Sequence, residues 1–293
     1  MDKKEVVCIG QALVDCITGN PVPHKPRVYR AQSISLNTGG DALNEASVLA
    51  RAGAAVRLVC GLGEDAAGDL VLETAKKRGI DISGISRIRE LTTPVANLMV
   101  AADGSRVSYN SPATMLEGYL PEAEVMKGAA VVSLASAFRA PLDQAETLKK
   151  LITGAKEVGA VLCMDTKLPT YREIGLSDIA EVLPLVDYIF PNESEAAFFT
   201  GEEDPMEAAR RIREMGVRNV IVKTGEKGCC VCGEKESFEL PALSVPAVDS
   251  TGAGDHFVAG FILGILEEGD LTECCRRGRK LAAECVQHAG AFA

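Results

Sequence analysis

Short apolar runs of strand length alternate along this chain with segments of helical period, and that alternation restricts the fold more than any other feature. Val6–Ile9, Val56–Cys60, Ala130–Leu134, Val161–Met164, Tyr188–Phe190 and Val220–Val222 are short apolar stretches, interrupted only by Arg57 and Ser133, several running directly into Gly or Asp. Such runs suit strands buried on both faces. Between them Asn44–Ala52, Ala66–Arg78, Leu142–Val158, Ile179–Leu183, Ser194–Phe199 and Met206–Met215 read as helices, and Val258–Leu266 forms another after the last strand. The succession predicts a doubly wound α/β fold, a mostly parallel sheet with helices on both faces. With 293 residues, 47% of them hydrophobic, the chain has material for a large core and is read as a single domain, 1–293.

Two stretches break the rhythm. Arg27–Leu36 and Val95–Asn110, within excursions spanning about 13–36 and 92–112, lack a helical period, and the second flanks the turn Ala102-Asp103-Gly104-Ser105 in hairpin fashion. Both leave the α/β body and return to it. They read either as a small β lid over a site or as surface hairpins without a role.

Composition removes several classes of function. The chain carries 31 basic against 41 acidic residues, a net charge of −10, with no Lys/Arg cluster of the kind that binds nucleic acid. Trp is absent and aromatic residues make up 4%, which leaves little for base-stacking platforms or membrane belts. The N-terminal MDKKEVVCIG has no signal-peptide pattern, so a cytoplasmic location is expected. Ten cysteines lie mostly in apolar segments, and the tightest group, Cys229, Cys230 and Cys232, lacks the spacing and fourth ligand of a zinc site, with only His24, His256 and His288 elsewhere. His256 and His288 read as structural or exposed.

The segment Val248-Asp249-Ser250-Thr251-Gly252-Ala253-Gly254-Asp255-His256-Phe257 is a glycine-rich turn opening an apolar helix. Unpaired amides at a helix start, flanked by small residues, make an anion site. Asp255 would repel a phosphate held there unless it receives a proton from an incoming nucleophile, as a hydroxyl acceptor requires. The competing reading is structural: Asp249, Ser250 and Thr251 cap a helix and Asp255 complements its dipole.

Residues 249–261 resemble the C-terminal signature of the ribokinase, or PfkB-type, carbohydrate kinases. The resemblance implies a ribokinase-like fold, ATP as phosphoryl donor, Asp255 as catalytic base, an anion hole from the amides of Gly252, Ala253 and Gly254, and support from Asp249 and Thr251. Asn37-Thr38-Gly39-Gly40-Asp41-Ala42-Leu43-Asn44-Glu45-Ala46, followed by Gly61-Leu62-Gly63-Glu64-Asp65, is similar to the family's N-terminal signature. By chemistry alone, Gly39 and Gly40 admit a ligand close to backbone and the Asn44 amide suits hydroxyls; alternatively Asn44 faces solvent at a helix start. The resemblance has Gly39, Gly40 and Asn44 contacting the sugar together with Asp15 and Asp249. Asp41 stands where the ribokinase subgroup usually carries Lys, which points away from ribose.

Asn192 and Glu195 form a capping-type pair, and the resemblance also has them organising Mg²⁺ and its waters. Lys223, Thr224, Gly225 and Gly228 follow an apolar strand and resemble the family's nucleotide-binding turn; by residue type alone, Lys223 and Lys227 are equally surface charges. Cys285-Val286-Gln287-His288-Ala289-Gly290-Ala291 resembles the end of the family's last helix. In cation-activated members that segment and the Asp249–Thr251 turn surround K⁺, which would place Cys285, His288 and Gly290 there.

The resemblance runs from Gly10 to Gly290 and implies a small-molecule partner, with a homodimer formed through the lid and no nucleic-acid or membrane partner. The expected acceptor is a neutral, fructose-like or ribose-like sugar between body and lid, its hydroxyls fixed by Asp15 and Asn44; an acidic or phosphorylated one would need Arg106 or Lys167. Two alternatives stay open: a nucleoside kinase using Tyr29, Tyr109 or Phe138 as a base platform, and a sugar- or nucleotide-sensing protein without catalysis.

Overall fold

All six apolar runs become neighbouring strands of one sheet. The computed structural model describes residues 4–102, 105–111, 116, 119–288 and 290. The chain begins with β1 (Glu5–Ile9), β2 (Leu13–Gly19), β3 (Val22–Lys25), β4 (Val28–Arg30), β5 (Ser33–Gly39), α1 (Asp41–Arg51), β6 (Ala55–Gly63), α2 (Ala66–Lys77) and β7 (Ile85–Ile88). It continues through β8 (Val95–Val100), β9 (Arg106–Asn110), β10 (Ala129–Ala137), α3 (Ala145–Glu157), β11 (Val161–Thr166), β12 (Tyr188–Ile189), α4 (Glu193–Thr200) and α5 (Pro205–Glu214). Last come β13 (Asn219–Lys223), β14 (Cys229–Cys232), β15 (Ser237–Leu240), α6 (Ala253–Leu266) and α7 (Leu271–Cys285).

The nine-stranded sheet has the order β15-β14-β13-β12-β11-β10-β1-β6-β7. It is parallel from β13 to β7, and β14 and β15 add an antiparallel edge. Alternation along β1 shows why both faces need helices. Val7 and Ile9 join the core beneath α3 and α5, whereas Val6 and Cys8 join the core beneath α1, α6 and α7. Strand order reverses where β1 lies between β6 and β10, so the carboxyl ends of β1 and β10 flank the crevice in which such folds bind ligands.

The helices α6 and α7 approach closely because they meet through glycine. A Cβ at Gly260 would lie 2.8 Å from the Arg277 carbonyl oxygen, and one at Gly278 would lie 2.7 Å from that of Phe257. This contact fixes the axis of α6, whose first turn carries Asp255. Cys229, Cys230 and Cys232 are core residues of β14 that alternate between the two faces, and all ten cysteines are free thiols. Among the described residues no helix is long and apolar enough to cross a membrane.

The irregular stretches build a second sheet, order β5-β2-β8-β9, in which β2 pairs antiparallel with β5 and parallel with β8. Its two faces differ. Asn37, Asp15, Ala96 and Asn110 stand in one cross-strand row. On the opposite face Leu36, Cys16, Asn97 and Tyr109 form one row and Ile34, Thr18, Met99 and Val107 the next. Within 27–36, β4 pairs instead with β3 as a separate ribbon. Asp103 and Gly104, in the expected turn, lie outside the described residues. Ile179–Leu183 is not α-helical: Leu176–Leu185 is a 3-10 segment kinked at Ile179 and containing Pro184, which removes a backbone donor.

Candidate active site

A bracketed loop delivers the first turn of α6. The amides of Val248 and Asp249 donate to the Val286 carbonyl at 2.7 and 3.2 Å. Asp249 accepts from the Thr251 amide and hydroxyl at 2.9 and 2.7 Å through Oδ1, and from the Gly290 amide at 2.9 Å through Oδ2. Its carboxylate therefore ties the turn to the end of α7. Cys285 Sγ lies 3.4 Å from the Thr251 carbonyl, so Asp249, Thr251, Cys285 and Gly290 come together. The backbone amide of His288 meets the Cys285 carbonyl at 3.1 Å, while its side chain lines a cavity of about 530 Å³ behind α6, together with Arg51, Arg277 and Lys280.

Gly252 caps α6 with φ 78°, a left-handed conformation that suits glycine. Of the three amides expected to form the anion hole, that of Ala253 donates to the Ser250 carbonyl at 3.2 Å and closes the turn. Those of Gly252 and Gly254 stand at the helix start, where the dipole favours negative charge. A Cβ on Gly254 would sit 3.5 Å from Lys223 Nζ, which brings an ammonium to the same place. His256 closes the back: its amide donates to the Gly252 carbonyl at 2.9 Å, and its Nδ1 lies 3.0 Å from that oxygen.

Asp255 is buried, and its Oδ2 accepts from Asn44 Nδ2 at 2.7 Å. Asn44 thus faces the first turn of α6, not solvent, and its Oδ1 is buried without a hydrogen-bond partner among the described residues. An unpartnered buried acceptor is costly in an empty protein and is expected where a ligand donates. Lys167 Nζ sits among three carboxylates, 3.0 Å from Asp165, 3.4 Å from Asp41 and 3.9 Å from Asp255. Asp165, fully buried, is also paired with Lys223. A ladder of alternating charge therefore runs from Lys223 through Asp165 and Lys167 to Asp255.

Burial and the Asp41 carboxylate push Asp255 up to about 8, against the pull of Lys167 and the Asn44 hydrogen bond. Burial, again assisted by Asp41, raises Asp15 to about 6. For Lys167 burial alone would lower the ammonium's pKa, but Asp165, Asp41 and Asp255 together hold it well above its ordinary value. Gly39 lies against Asp15, where a Cβ would come within 2.2 Å of Asp15 Oδ2. Gly40, at φ 96°, caps α1 so closely that a Cβ would stand 2.6 Å from the Gln11 carbonyl oxygen.

Asn192 and Glu195 form a reciprocal cap at the start of α4: Asn192 Oδ1 accepts from the Glu195 amide, and Glu195 Oε2 accepts from the Asn192 amide, both at 2.9 Å. Glu195 is buried, further held by Thr166 Oγ1 at 3.0 Å and Asn192 Nδ2 at 2.8 Å, and burial raises its pKa although Lys223 opposes the shift. Thr224, Gly225 and Gly228 form a tight turn after β13, with the Thr224 amide on the Gly228 carbonyl at 2.9 Å. Lys227 is exposed and pairs with Glu193 at 3.2 Å.

Three participants escaped sequence reasoning. Asp165 and Ser136 supply the charge and hydroxyl that hold Lys167 and Asp41, the latter through Ser136 Oγ at 2.9 Å from Asp41 Oδ2. Arg139 stands at the carboxyl end of β10. The signal available for all three was position immediately at or after an apolar strand. Of Arg106's side chain the structure describes nothing.

Comparison with known proteins shows the family. The pattern described as pfkB family carbohydrate kinase matches residues 3–293. The chain belongs to that family. It is 30% identical to the ribokinase of Haemophilus influenzae over 99% of this chain and 94% of that protein. It is 33% identical to a cytidine kinase of Thermococcus kodakarensis over 86% of this chain and 88% of the relative. The structure of Arabidopsis thaliana ribokinase complexed with ribose and ATP superposes with a TM-score of 0.85 at 25% identity, covering 99% and 94% of the two chains. The enzyme is accordingly a phosphotransferase with an alcohol acceptor, a kinase of carbohydrates or nucleosides with the ribokinase-like fold.

Carbon-detected carboxyl NMR of the kinase is expected to show Asp255 titrating near 8, as burial and Asp41 dictate. In Asp41→Asn one repulsive charge is gone, the proton is held less tightly, and the midpoint moves to lower pH. Ordinary carboxyl titration near 4 in both proteins would contradict this electrostatic reading.

Proposed function

We propose that this kinase moves the γ-phosphoryl of ATP to a hydroxyl of a small sugar, with Asp255 accepting the hydroxyl proton. The observation that carries the proposal is a buried carboxylate one residue beyond the Gly252–Gly254 turn, hydrogen-bonded to an Asn44 whose carbonyl oxygen lacks a donor among the described residues. The acceptor hydroxyls meet Asn44 Oδ1 and Asp15, with Gly39 and Gly40 leaving room. As the acceptor oxygen bonds to the γ-phosphorus and the bond to the β-phosphate oxygen breaks, the hydroxyl proton passes to Asp255. A base whose pKa lies near the working pH suits that exchange. The amides of Gly252 and Gly254 and the Lys223 ammonium neutralise the charge that develops on the phosphoryl oxygens.

Thr224, Gly225 and Gly228 stand at the carboxyl end of β13 and suit the nucleotide. Among the described residues no three His, Cys, Asp or Glu side chains group to hold a metal. Asn192 and Glu195 at the start of α4 would hold the waters of Mg²⁺ carried on the triphosphate, and the ion would offset phosphate charge. Carbonyls around Asp249, Thr251, Cys285 and Gly290 are the proposed K⁺ surroundings, with His288 at their edge. Ten free thiols suit a reducing compartment, the cytoplasm.

A sugar is favoured over a nucleoside by what has become of the candidate platforms. Tyr29 and Tyr109 are 66% and 60% exposed, and Tyr109 lies on the face of the small sheet opposite Asp15. Phe138 is fully buried, its ring 4.9 Å from Phe199. We read residues 1–293 as one kinase unit in which the small sheet is the lid, its Asp15 face toward the acceptor. The other face exposes Ile34, Leu36, Val107 and Tyr109 between 53% and 70%, an apolar strip that suits pairing with the lid of a second copy.

A coupled assay of ADP release should show Asp255→Asn, folded and still binding ATP, about 10²–10⁴-fold slower than the parent; near-parental turnover would remove Asp255 as base. In the same assay excess chelator should abolish activity and K⁺ should raise it; turnover undiminished by chelator, or equal in potassium and Tris, would remove the respective ion. Sedimentation should find a dimer that Leu36→Glu converts to monomers. A monomeric parent would refute lid pairing.

A further inference from the structure

The crevice between the body and the small sheet contains a cavity of about 180 Å³ whose walls hold a single charged residue among those described, Arg139. Gln11, at the exit of β1, and Arg139, at the exit of β10, flank the point where strand order reverses; Ala96 and Asn110 close the cavity from the small sheet. Ala96 and Asn110 share a cross-strand row with Asp15, so this space continues directly from the proposed acceptor carboxylate. Through Gln11 it also backs onto the charge ladder: the Gln11 amide lies 3.4 Å from Ser136 Oγ, which donates to Asp41.

Arg139 is held in place. Its Nε donates to the Leu168 carbonyl at 3.2 Å and its amide to the Ser136 carbonyl at 3.0 Å. Phe138, just before it, has φ 73°, a left-handed conformation that a bulky aromatic residue adopts only when its surroundings impose it. Among the described residues Arg139 takes part in no ion pair, and no Asp or Glu lines the cavity. The other basic residue considered for an acidic acceptor, Lys167, is engaged by Asp165, Asp41 and Asp255.

We infer that the acceptor carries an oxyanion, a carboxylate or phosphate, at the end away from the reacting hydroxyl, and that Arg139 is the residue that selects it. The inference rests on the kinase reading and replaces the neutral sugar expected from sequence. A guanidinium fixed through Nε presents its two terminal nitrogens to a planar or tetrahedral oxyanion. Asn110, whose Oδ1 already accepts from Ser108 Oγ at 2.9 Å, has its amide nitrogen as a second donor on the same wall. With Asp15 and Asp255 both acidic, the cation also keeps the anionic end away from the carboxylates and so orients the acceptor.

The test compares acceptors of one skeleton in the ADP-release assay: gluconate with glucose, and 2-ketogluconate and fructose 6-phosphate each with fructose. Wild type is expected to favour the anionic member by about ten- to a hundredfold in kcat/KM, the range of a hydrogen bond to a charged group. Arg139→Gln should bring that ratio close to one, chiefly through KM, and Arg139→Lys should recover part of it. The carboxylate and phosphate arms decide which oxyanion fits. Preference for the neutral sugars in wild type, or the same ratio in Arg139→Gln, overturns the inference while leaving the kinase intact. Calorimetry with a non-hydrolysable ATP analogue separates the two readings: if no acceptor releases ADP but an anionic one binds wild type and not Arg139→Gln, the oxyanion site stands and phosphoryl transfer to these acceptors fails.

Discussion

The hydrogen bond between Asn44 and Asp255 joins the two ends of the chain at the centre of the site, and the remaining geometry depends on it. Asn44 belongs to the helix that follows the small sheet's β5, and Asp255 to the helix that opens on the glycine turn. Their contact at 2.7 Å joins the helix proposed to hold the acceptor to the turn proposed to hold the phosphate. Two titratable groups as deeply placed as Asp255 and Lys167 both have partners: Asn44 and Lys167 for the first, three carboxylates for the second. A carboxylate excluded from water and faced by Asp41 keeps its proton more readily than usual, which suits the role of base proposed for it.

Topology explains why these residues meet although they are scattered along the sequence. Parallel strands deliver their carboxyl ends to one edge, and Gln11, Arg139, Asp165, Lys167, Lys223 and Thr224 all lie at or just after such ends. The small sheet carries Asp15 on β2 and Asn110 on β9, and its Ala96 and Asn110 line the same cavity as Gln11 and Arg139. The close α6–α7 contact through Gly260 and Gly278 fixes the direction from which the glycine turn approaches. One array of strand ends thus carries the residues proposed for donor and acceptor alike.

The central strands are legible in the sequence because a strand buried on both faces must be apolar throughout, as in Val6–Ile9 and Val220–Val222. Edge strands carry no such mark: β7 has only half-buried side chains, and β15 alternates polar with apolar. The 3-10 segment at Leu176–Leu185 has enough apolar residues to mimic a helix and is betrayed only by Pro184. At the site, the glycine turn and Asp255 are contiguous and therefore visible. The role proposed for Arg139 is visible only in three dimensions, since it comes from the absence of a carboxylate among the described residues that line the cavity, and no local pattern encodes that. Asp249 shows the same limit: its type suits a ligand, and only the structure shows that Oδ1 also holds Thr251 within the turn while Oδ2 ties the turn to Gly290 beyond α7.

The central claim is that Asp255 takes the proton of the hydroxyl that is phosphorylated. A crystal structure of the ternary complex with a non-hydrolysable ATP analogue and a turned-over acceptor measures it most directly. The account predicts the reactive hydroxyl about 2.6–3.2 Å from the Asp255 carboxylate, its oxygen directed at the γ-phosphorus above the Gly252–Gly254 turn. A reactive hydroxyl resting on Asp15 or on solvent, with Asp255 out of hydrogen-bond reach and still bound only to Asn44, would contradict it.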